Sequence, residues 1–191
     1  MDIKVNNICK SFNGQQILDK VTMSFPNGST TCIMGASGVG KTTLINILMG
    51  LLKPDSGEIT GLSGKHISAV FQEDRLIENW DAVRNVMLVS GKDVTEEKVE
   101  RHLSDVSLTE YKGKPVRDLS GGMRRRVAIV RALLSDYDLL VMDEPFKGLD
   151  DELKKQVISY VKENTNGQTL IIITHDKEEA KLLQAEIVVL D

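Results

Sequence analysis

The glycine-rich segment at residues 35–42, Gly-Ala-Ser-Gly-Val-Gly-Lys-Thr, constrains the fold of this chain more than any other part of it. Residues 30–34 before it are apolar or β-branched and predict a buried strand, while apolar residues at helical spacing over 44–51 predict a helix that ends near Pro54. In such a strand–loop–helix unit the glycines let successive backbone N–H groups point inward around a phosphate, and the helix N-terminus adds a favourable dipole. The segment therefore predicts a phosphate-binding loop; the alternative is a chance glycine loop.

The amino-terminal part of the chain has the pattern of β structure. Alternating apolar residues over 3–8, a turn at Asn13-Gly14 and an apolar run over 21–25 predict antiparallel strands. We therefore expect an N-terminal antiparallel β subdomain.

Residues 72–115 differ in composition from their surroundings, since apolar residues are sparse there and charged residues are frequent. Within this stretch Thr95 begins a capped amphipathic helix. We therefore expect a small inserted α-helical subdomain over 72–115, with residues 1–71 and 116–191 forming one core.

Strand and helix patterns alternate through the rest of the chain. Predicted strands lie at 58–60, 67–71, 139–142, 169–174 and 187–190, and predicted helices at 121–134, 151–163 and 177–183. Such alternation predicts an α/β fold with a mainly parallel sheet covered by helices. At 191 residues, the sequence is long enough for one well-buried domain.

Two carboxylates follow the apolar strand at 139–142. At the carboxyl end of a parallel strand beside the phosphate loop, Asp143 can hold Mg²⁺ through water, and Glu144 can polarise an attacking water as a general base. The loop itself would place Lys41 at the β- and γ-phosphates and offer the Thr42 hydroxyl to Mg²⁺, with Thr43 near the α-phosphate. The alternative for the two carboxylates is a helix cap after a buried strand.

Two further polar residues lie at predicted strand ends. His175 follows the strand at 169–174, at the sheet edge where α/β folds bind ligands, and could contact the γ-phosphate and orient Glu144. Gln72 follows the strand at 67–71 and could bind Mg²⁺ or the attacking water. Taken alone, either residue could equally be structural or simply exposed.

Residues 119–123, Leu-Ser-Gly-Gly-Met, predict a second anion site. Ser120 can donate a hydroxyl, and Gly121 and Gly122 can offer backbone N–H groups at a helix start. Since the chain has one lysine-containing loop, the economical arrangement is a two-fold dimer in which this segment caps a nucleotide on the other subunit. The alternative is a plain helix cap. With that alternative, the arginines at 124–126 would form a solvated basic face and not a nucleic-acid-binding stripe.

Together these motifs resemble the ATP-binding subunit of ABC transporters over the whole chain, with motif residues most similar to importer-type nitrate, sulfonate and taurine subunits. Residues 35–43 resemble Walker A, 138–143 Walker B and 119–123 the family signature, in which Met123 replaces the usual Gln. The resemblance implies a P-loop NTPase fold that uses ATP and Mg²⁺. It implies catalytic roles for Glu144, for His175 as the switch histidine and for Gln72 as the Q-loop glutamine, and metal binding by Thr42, Gln72 and Asp143. It implies nucleotide-binding roles for Phe12, Gly35, Ala36, Ser37, Gly38, Val39, Gly40, Lys41, Thr42, Thr43, Ser120, Gly121, Gly122 and Asp150.

The position of Phe12 is that of the aromatic residue that stacks on adenine; the alternative is a core aromatic. Asp150 lies in the segment Gly-Leu-Asp that resembles the D-loop. The helical insert is short for the family, and because the sequence ends directly after its last predicted strand, we expect no C-terminal regulatory domain.

The resemblance implies an ATP-hydrolysing subunit that powers a transporter, an importer more than an exporter, by nucleotide-driven dimerisation. Its implied partners are a second copy, integral-membrane permease subunits and an extracytoplasmic substrate-binding protein, at the cytoplasmic face of the membrane. One alternative is a non-transport ABC ATPase acting on ribosomes or DNA, although a net charge of −4 gives no electrostatic reason to expect nucleic acid. Another is a monomeric P-loop kinase or switch protein.

The cysteines and the hydropathy bear on the redox compartment and on membrane segments. Cys9 and Cys32 form neither a metal-binding nor a disulfide pattern, which suits a reducing compartment. No segment approaches the roughly 20 apolar residues that a membrane-spanning helix needs. The amino terminus also lacks the apolar core of a signal peptide.

Overall fold

Two β-sheets, one antiparallel and one parallel, form the framework of the computed structural model, which describes residues 1–165 and 167–191. The strands are β1 (Ile3–Phe12), β2 (Gln15–Phe25), β3 (Thr30–Met34), β4 (Ser56–Thr60), β5 (Ile67–Val70), β6 (Leu139–Asp143), β7 (Thr169–Ile173) and β8 (Glu186–Val189). The helices are α1 (Lys41–Leu48), α2 (Ala82–Met87), α3 (Glu96–Asp105), α4 (Gly121–Leu133), α5 (Asp151–Asn164) and α6 (Lys177–Leu182), with a 3-10 turn at Val116–Asp118.

The parallel sheet has the strand order β5-β6-β7-β3-β8. Its central strands are buried on both faces, as their unbroken apolar sequences require. Asp143 at the end of β6 pairs in register with Ile173 of β7, and Ile173 pairs with Ile33 of β3 on its other side. The carboxyl ends of β3, β6 and β7 therefore meet at one edge, which brings the segments that follow them together.

Alternate residues of the central strands pack into two apolar layers. Leu139, Val141, Ile171 and Ile173 pack with α1 and the antiparallel sheet, whereas Leu140, Met142, Leu170 and Ile172 pack on the other face with α4 and α5. Each of these side chains contributes about 1.5–3 kcal/mol by leaving water. Packing on both faces holds in place the edge of the sheet that carries the polar residues.

The antiparallel sheet has the order β2-β1-β4, and the first two strands meet at the predicted turn. Ile3, Val5 and Ile8 of β1 point into the apolar layer over α1. Phe12 ends β1 opposite Gln15, beyond the packed part of the sheet. The predicted N-terminal antiparallel β subdomain is therefore confirmed, although β2 is longer than the predicted strand at 21–25.

The predicted helical insert is also present, as α2 and α3. Thr95 caps α3 by accepting a hydrogen bond from the Lys98 N–H, as its sequence predicts. Val99 and Leu103 of α3 are fully buried and belong to the apolar layer on the α4 face of the sheet. Because the insert shares a continuous core with α4, its division from the rest at residues 72 and 115 stays a prediction.

Helix α1 is shorter than its apolar spacing predicts. It ends at Leu48, and the backbone N–H groups of Leu51 and Leu52 both turn back to the Asn46 carbonyl at 2.9 and 3.1 Å. Leu51 is 59% exposed, so the helical spacing over 44–51 includes a residue that the core does not use.

The prediction of a solvated basic face at 124–126 was wrong for two of the three arginines. Arg125 and Arg126 are only 8% exposed. Arg126 donates hydrogen bonds to the carbonyls of Val106 and Ser107 at 3.0 and 2.7 Å, and so anchors the insert to α4. Arg125 donates to the segment that follows β5. Buried guanidinium groups are retained because backbone carbonyls satisfy their N–H groups.

The part of the chain that the structure describes contains no helix both long and apolar enough to cross a membrane.

Candidate active site

The phosphate loop connects β3 to α1, and a side chain at any of its three glycines would be strained; Gly35 and Gly38 show two different reasons. A Cβ on Gly35 would lie 2.2 Å from the Leu190 carbonyl oxygen, and that residue is held in place by its own N–H bond to the Met34 carbonyl at 2.8 Å. Gly38 has a left-handed backbone, with φ of +82°, but open space around it. The sequence therefore uses Gly35 for close packing and Gly38 for the direction of the turn.

Lys41 closes the loop from inside. Its ammonium donates hydrogen bonds to the carbonyls of Gly35 and Ala36 at 2.9 and 2.8 Å. It thus lies across the loop, at the first residue of α1, where a phosphate would be bound by free N–H groups. Gly40 precedes it at the helix cap position and supplies no side chain that would occupy those N–H groups.

Thr42 and Asp143 are joined across the site. The Thr42 hydroxyl donates to Asp143 Oδ2 at 2.9 Å, and Asp143 is buried at the end of β6. Burial raises the pKa of the Asp143 carboxyl, and the Thr42 hydroxyl partly opposes that rise.

A hydroxyl beside a buried carboxylate fits Mg²⁺, which binds proteins through one or two carboxylates and completes its shell with water and substrate phosphates. The described residues contain no cluster of three or more His, Cys, Asp or Glu side chains that could hold a metal alone. The arrangement therefore suits a metal ion that arrives with a phosphate ligand.

Glu144 follows β6 in a left-handed backbone conformation, with φ of +45°. Its N–H donates to the Ile173 carbonyl at 3.0 Å, which holds this uncommon geometry and turns the side chain toward the loop. Its Oε2 accepts a hydrogen bond from the Lys147 ammonium at 2.8 Å, and its Oε1 lies 3.6 Å from His175 Nδ1. The hydrogen bond from Lys147 is the main reason why the pKa of Glu144 is lowered.

These residues surround one cleft of about 480 Å³. Phe12, which is 44% exposed, lies at the cleft instead of in the core, and the exposed side chains of Gln72 and His175 also line it. Of the predicted site residues, the cleft brings together Phe12, Gly35, Ser37, Gly38, Gly40, Lys41, Thr42, Thr43, Gln72, Asp143, Glu144 and His175. Ala36 and Val39 belong to the same loop but do not line the cleft. The roles assigned to these residues stay predictions.

The signature segment lies outside this cleft. Ser120 caps α4 by accepting a hydrogen bond from the Met123 N–H at 3.2 Å, so the predicted alternative of a helix cap is part of its role. A Cβ at Gly121 would meet nothing within 4 Å, which leaves the start of α4 open on its outer side. Asp150 likewise caps α5 through the Leu153 N–H at 3.0 Å. The described chain does not bring Ser120, Gly121, Gly122 or Asp150 to its own phosphate loop.

Sequence reasoning missed three residues of the cleft, namely Ile17, Lys147 and Ile173. Lys147 lines it beside Glu144, and Ile17 of β2 lines it beside Phe12. Opposite charges only three residues apart at Glu144 and Lys147 could have indicated the ion pair, although the two residues lie in a turn and not in a helix. No comparable signal exists for Ile17, because its position depends on how β2 returns along β1.

Alanine substitutions at Gly35 and Gly38 should destabilise the protein to different extents. Gly35→Ala should lower the free energy of unfolding by about 3 kcal/mol, the upper part of the range for overpacking, since the new Cβ would lie 2.2 Å from the Leu190 carbonyl oxygen and would force the backbone to shift. Gly38→Ala should cost about 1 kcal/mol, because only the left-handed backbone is strained. Urea unfolding without nucleotide measures both values, and equal losses for the two variants would contradict the close approach at Gly35.

Comparison with known proteins places this geometry in a family. Residues 18–147 match the family described as ABC transporter. A taurine import ATP-binding protein from Roseobacter denitrificans is 39% identical over 98% of this chain and 77% of its own length. A spermidine/putrescine import ATP-binding protein from Mycoplasma capricolum is 32% identical over 99% of this chain. The chain spans 58% of that relative and 44% of a similar one from Bacteroides fragilis.

Solved structures give the same result. A dimeric bacterial ABC transporter cassette superposes with a TM-score of 0.86 at 29% identity, covering 98% of this chain and 94% of that one. A dimeric structure of the same cassette in a post-hydrolysis state, bound to ADP and Pi, superposes with a TM-score of 0.84 at 29% identity, covering 99% and 94%. The predicted P-loop NTPase fold and the resemblance to importer-type subunits are thus confirmed, and the chain belongs to the ABC transporter family as one of its ATP-binding cassettes.

Proposed function

We propose that this chain binds and hydrolyses ATP and that it powers an ABC importer through nucleotide-driven dimerisation. One observation carries the proposal: a single cleft joins the phosphate loop, the Thr42–Asp143 pair and Glu144, while the signature segment lies elsewhere on the chain. The nucleotide site in the cleft would therefore be complete only when the signature segment of a second chain covers it.

The residues of the cleft have different proposed roles in binding Mg-ATP. Lys41 would exchange its two carbonyl partners for the β- and γ-phosphate oxygens, which are stronger acceptors because they are charged. Thr42, Asp143 and Gln72 would hold Mg²⁺, which neutralises charge on the phosphates in transfer. Phe12 offers an exposed ring on which adenine can stack.

Glu144 is the proposed general base. A carboxylate whose pKa is lowered is ionised at neutral pH, as a base must be before it accepts a proton from water. Because His175 lies 3.6 Å from Glu144 and is 73% exposed in its side chain, it can reach the terminal phosphate and still orient Glu144. Lys147 adds a second ammonium to this end of the cleft.

The second copy supplies the other half of each site. Ser120, Gly121 and Gly122 at the open start of α4 present a hydroxyl and N–H groups suited to a phosphate. Asp150 at the start of α5 is proposed to contact the nucleotide across the interface. The dimeric state of the superposed cassettes supports this arrangement.

The printed names of the relatives support an import role, since they are described as import ATP-binding proteins. The proposed partners are integral-membrane permease subunits and an extracytoplasmic substrate-binding protein, with the chain placed at the cytoplasmic face of the membrane. The net charge of −4 offers no support for a nucleic-acid partner.

Cross-linking between two differently marked chains tests the dimer. In a Cys9→Ser background, one chain carries Ser37→Cys in the phosphate loop and the other carries Ser120→Cys; both positions are exposed, and the remaining Cys32 is buried. A short bifunctional thiol reagent should join the loop of one chain to the signature of the other in Mg-ATP, and much less in Mg-ADP. Loop-to-loop products in place of loop-to-signature products would contradict the proposal.

A further inference from the structure

We infer that Arg125 is a positioning residue for Gln72. Through it, the loop after β5 in one ATP site is connected to α4, the helix whose first turn contributes to the other ATP site. The inference rests on the proposed function, in which Gln72 acts at its own chain's nucleotide and Ser120 at its partner's. It concerns a side chain that lines neither site.

The three nitrogens of the Arg125 guanidinium all point at one short segment. The two terminal nitrogens interact with the carbonyl oxygens of Phe71 and Gln72, one each. The Nε lies 3.3 Å from Asp74 Oδ1. Both partner side chains are well shielded, with 9% and 13% of the Arg125 and Asp74 side chains exposed. A rigid, planar guanidinium that donates to two successive carbonyls and lies beside a carboxylate restricts the positions of both carbonyls.

A second arginine of α4 continues the anchorage. Arg131 donates to the carbonyls of Asp74 and Arg75 at 3.0 and 2.8 Å. Residues 71–75 therefore lie along α4, held by carbonyl contacts from two arginine side chains. Arg75 has a left-handed backbone, with φ of +48°, at the point where the last of these bonds is made.

This anchorage leaves the Gln72 side chain free while it holds the backbone. Gln72 is exposed and lines the same cleft as Glu144, yet its carbonyl is bound by Arg125. A side-chain amide that must meet a metal or a water within about 0.5 Å depends on a fixed backbone. Without Arg125, the backbone at Phe71 and Gln72 would have to become ordered each time the nucleotide binds, which costs conformational entropy.

The other end of the connection is the signature. Ser120 caps α4, and Arg125 lies on that helix little more than one turn further on. A helix moves as a unit, so a shift of Ser120 against a partner's nucleotide would move the guanidinium and, with it, the Gln72 carbonyl. In the dimer each chain then carries one link between the two nucleotide sites.

A double-substitution cycle tests the inference. Arg125→Met should lower kcat by about 10- to 100-fold, as a misplaced catalytic group does, with little change in ATP affinity. Gln72→Ala should lower kcat to a similar degree, and the double variant should be no slower than Gln72→Ala alone, because the two changes remove the same effect. Effects that multiply would overturn the inference.

Arg126→Met is the matched control. Arg126 has the same exposure on the same helix, but it donates to the carbonyls of Val106 and Ser107 in place of the 71–75 segment. Whatever its own effect on kcat, that effect should multiply with the effect of Gln72→Ala. If Arg125→Met does not fold, Arg125→Lys gives the same cycle, since an ammonium keeps the charge beside Asp74 but cannot reach both carbonyls.

Amide hydrogen exchange gives a readout that does not need activity. Arg125→Met should speed exchange over residues 71–76 in the absence of nucleotide, and Arg126→Met should leave that segment unchanged. Unchanged exchange in Arg125→Met would overturn the inference even if turnover fell. By contrast, normal turnover in Gln72→Ala, with faster exchange in Arg125→Met, would refute the proposed role of Gln72 and leave the anchorage intact.

Discussion

Glu144→Gln should lower ATP turnover by about 10²- to 10⁴-fold, the usual contribution of a positioned general base. The amide has nearly the size of the carboxylate, and its carbonyl oxygen can still accept the Lys147 hydrogen bond seen at 2.8 Å. The variant should therefore fold and bind Mg-ATP normally. Because hydrolysis would no longer open the proposed dimer, we expect a stable dimer in Mg-ATP and a monomer in Mg-ADP, by analytical ultracentrifugation.

Glu178→Gln is the matched control for this variant. Glu178 forms the same type of pair three residues from a lysine, Lys181, but both side chains are more than 70% exposed on α6 and lie outside the cleft. Its turnover and its association should match those of the wild-type chain. If Glu144→Gln turned over ATP at a wild-type rate, the base would be misassigned. If it stayed monomeric at saturating Mg-ATP, the proposed dimer would be wrong.

The phosphate loop and the two carboxylates could be predicted because the residues that form each of them are close together in sequence. The loop at 35–42 and the carboxylates after β6 each combine a strand signal with polar residues at its end. Parallel strands bring such ends to one sheet edge without any further information. The structure agrees: Thr42 and Asp143 are 101 residues apart in sequence and share a hydrogen bond.

The surroundings of α4 were not predictable in the same way. A run of three arginines has the composition of a solvated face, and nothing local indicates that two of them are buried. Their burial depends on carbonyl partners that are distant in sequence: 53 and 54 residues away for Arg125, and 19 and 20 for Arg126. Only the packing of the insert and the loop after β5 against α4 brings those carbonyls within reach. The strand order β5-β6-β7-β3-β8 is likewise a property of tertiary packing.

Lys41→Met should weaken ATP binding by about 10- to 100-fold, since a hydrogen bond to a charged group contributes about 1.5–3 kcal/mol. It should also lower kcat by about 10²- to 10³-fold, as the loss of one preorganised donor does in other enzymes. Methionine keeps the length of the side chain, so the effect reports the ammonium. Isothermal titration with ATP and steady-state hydrolysis measure the two losses, and Lys155→Met, an exposed lysine of α5 outside the cleft, is the control.

The two discussed variants together separate phosphate binding from hydrolysis. In the double variant Lys41→Met/Glu144→Gln, the proposed dimer should be lost at ATP concentrations that saturate Glu144→Gln alone, because the bridging phosphates would be held without the ammonium that now spans the Gly35 and Ala36 carbonyls. Raising ATP above the weakened affinity should restore the dimer by mass action. A double variant that dimerises at the same ATP concentration as Glu144→Gln would show that Lys41 does not hold the nucleotide at the interface.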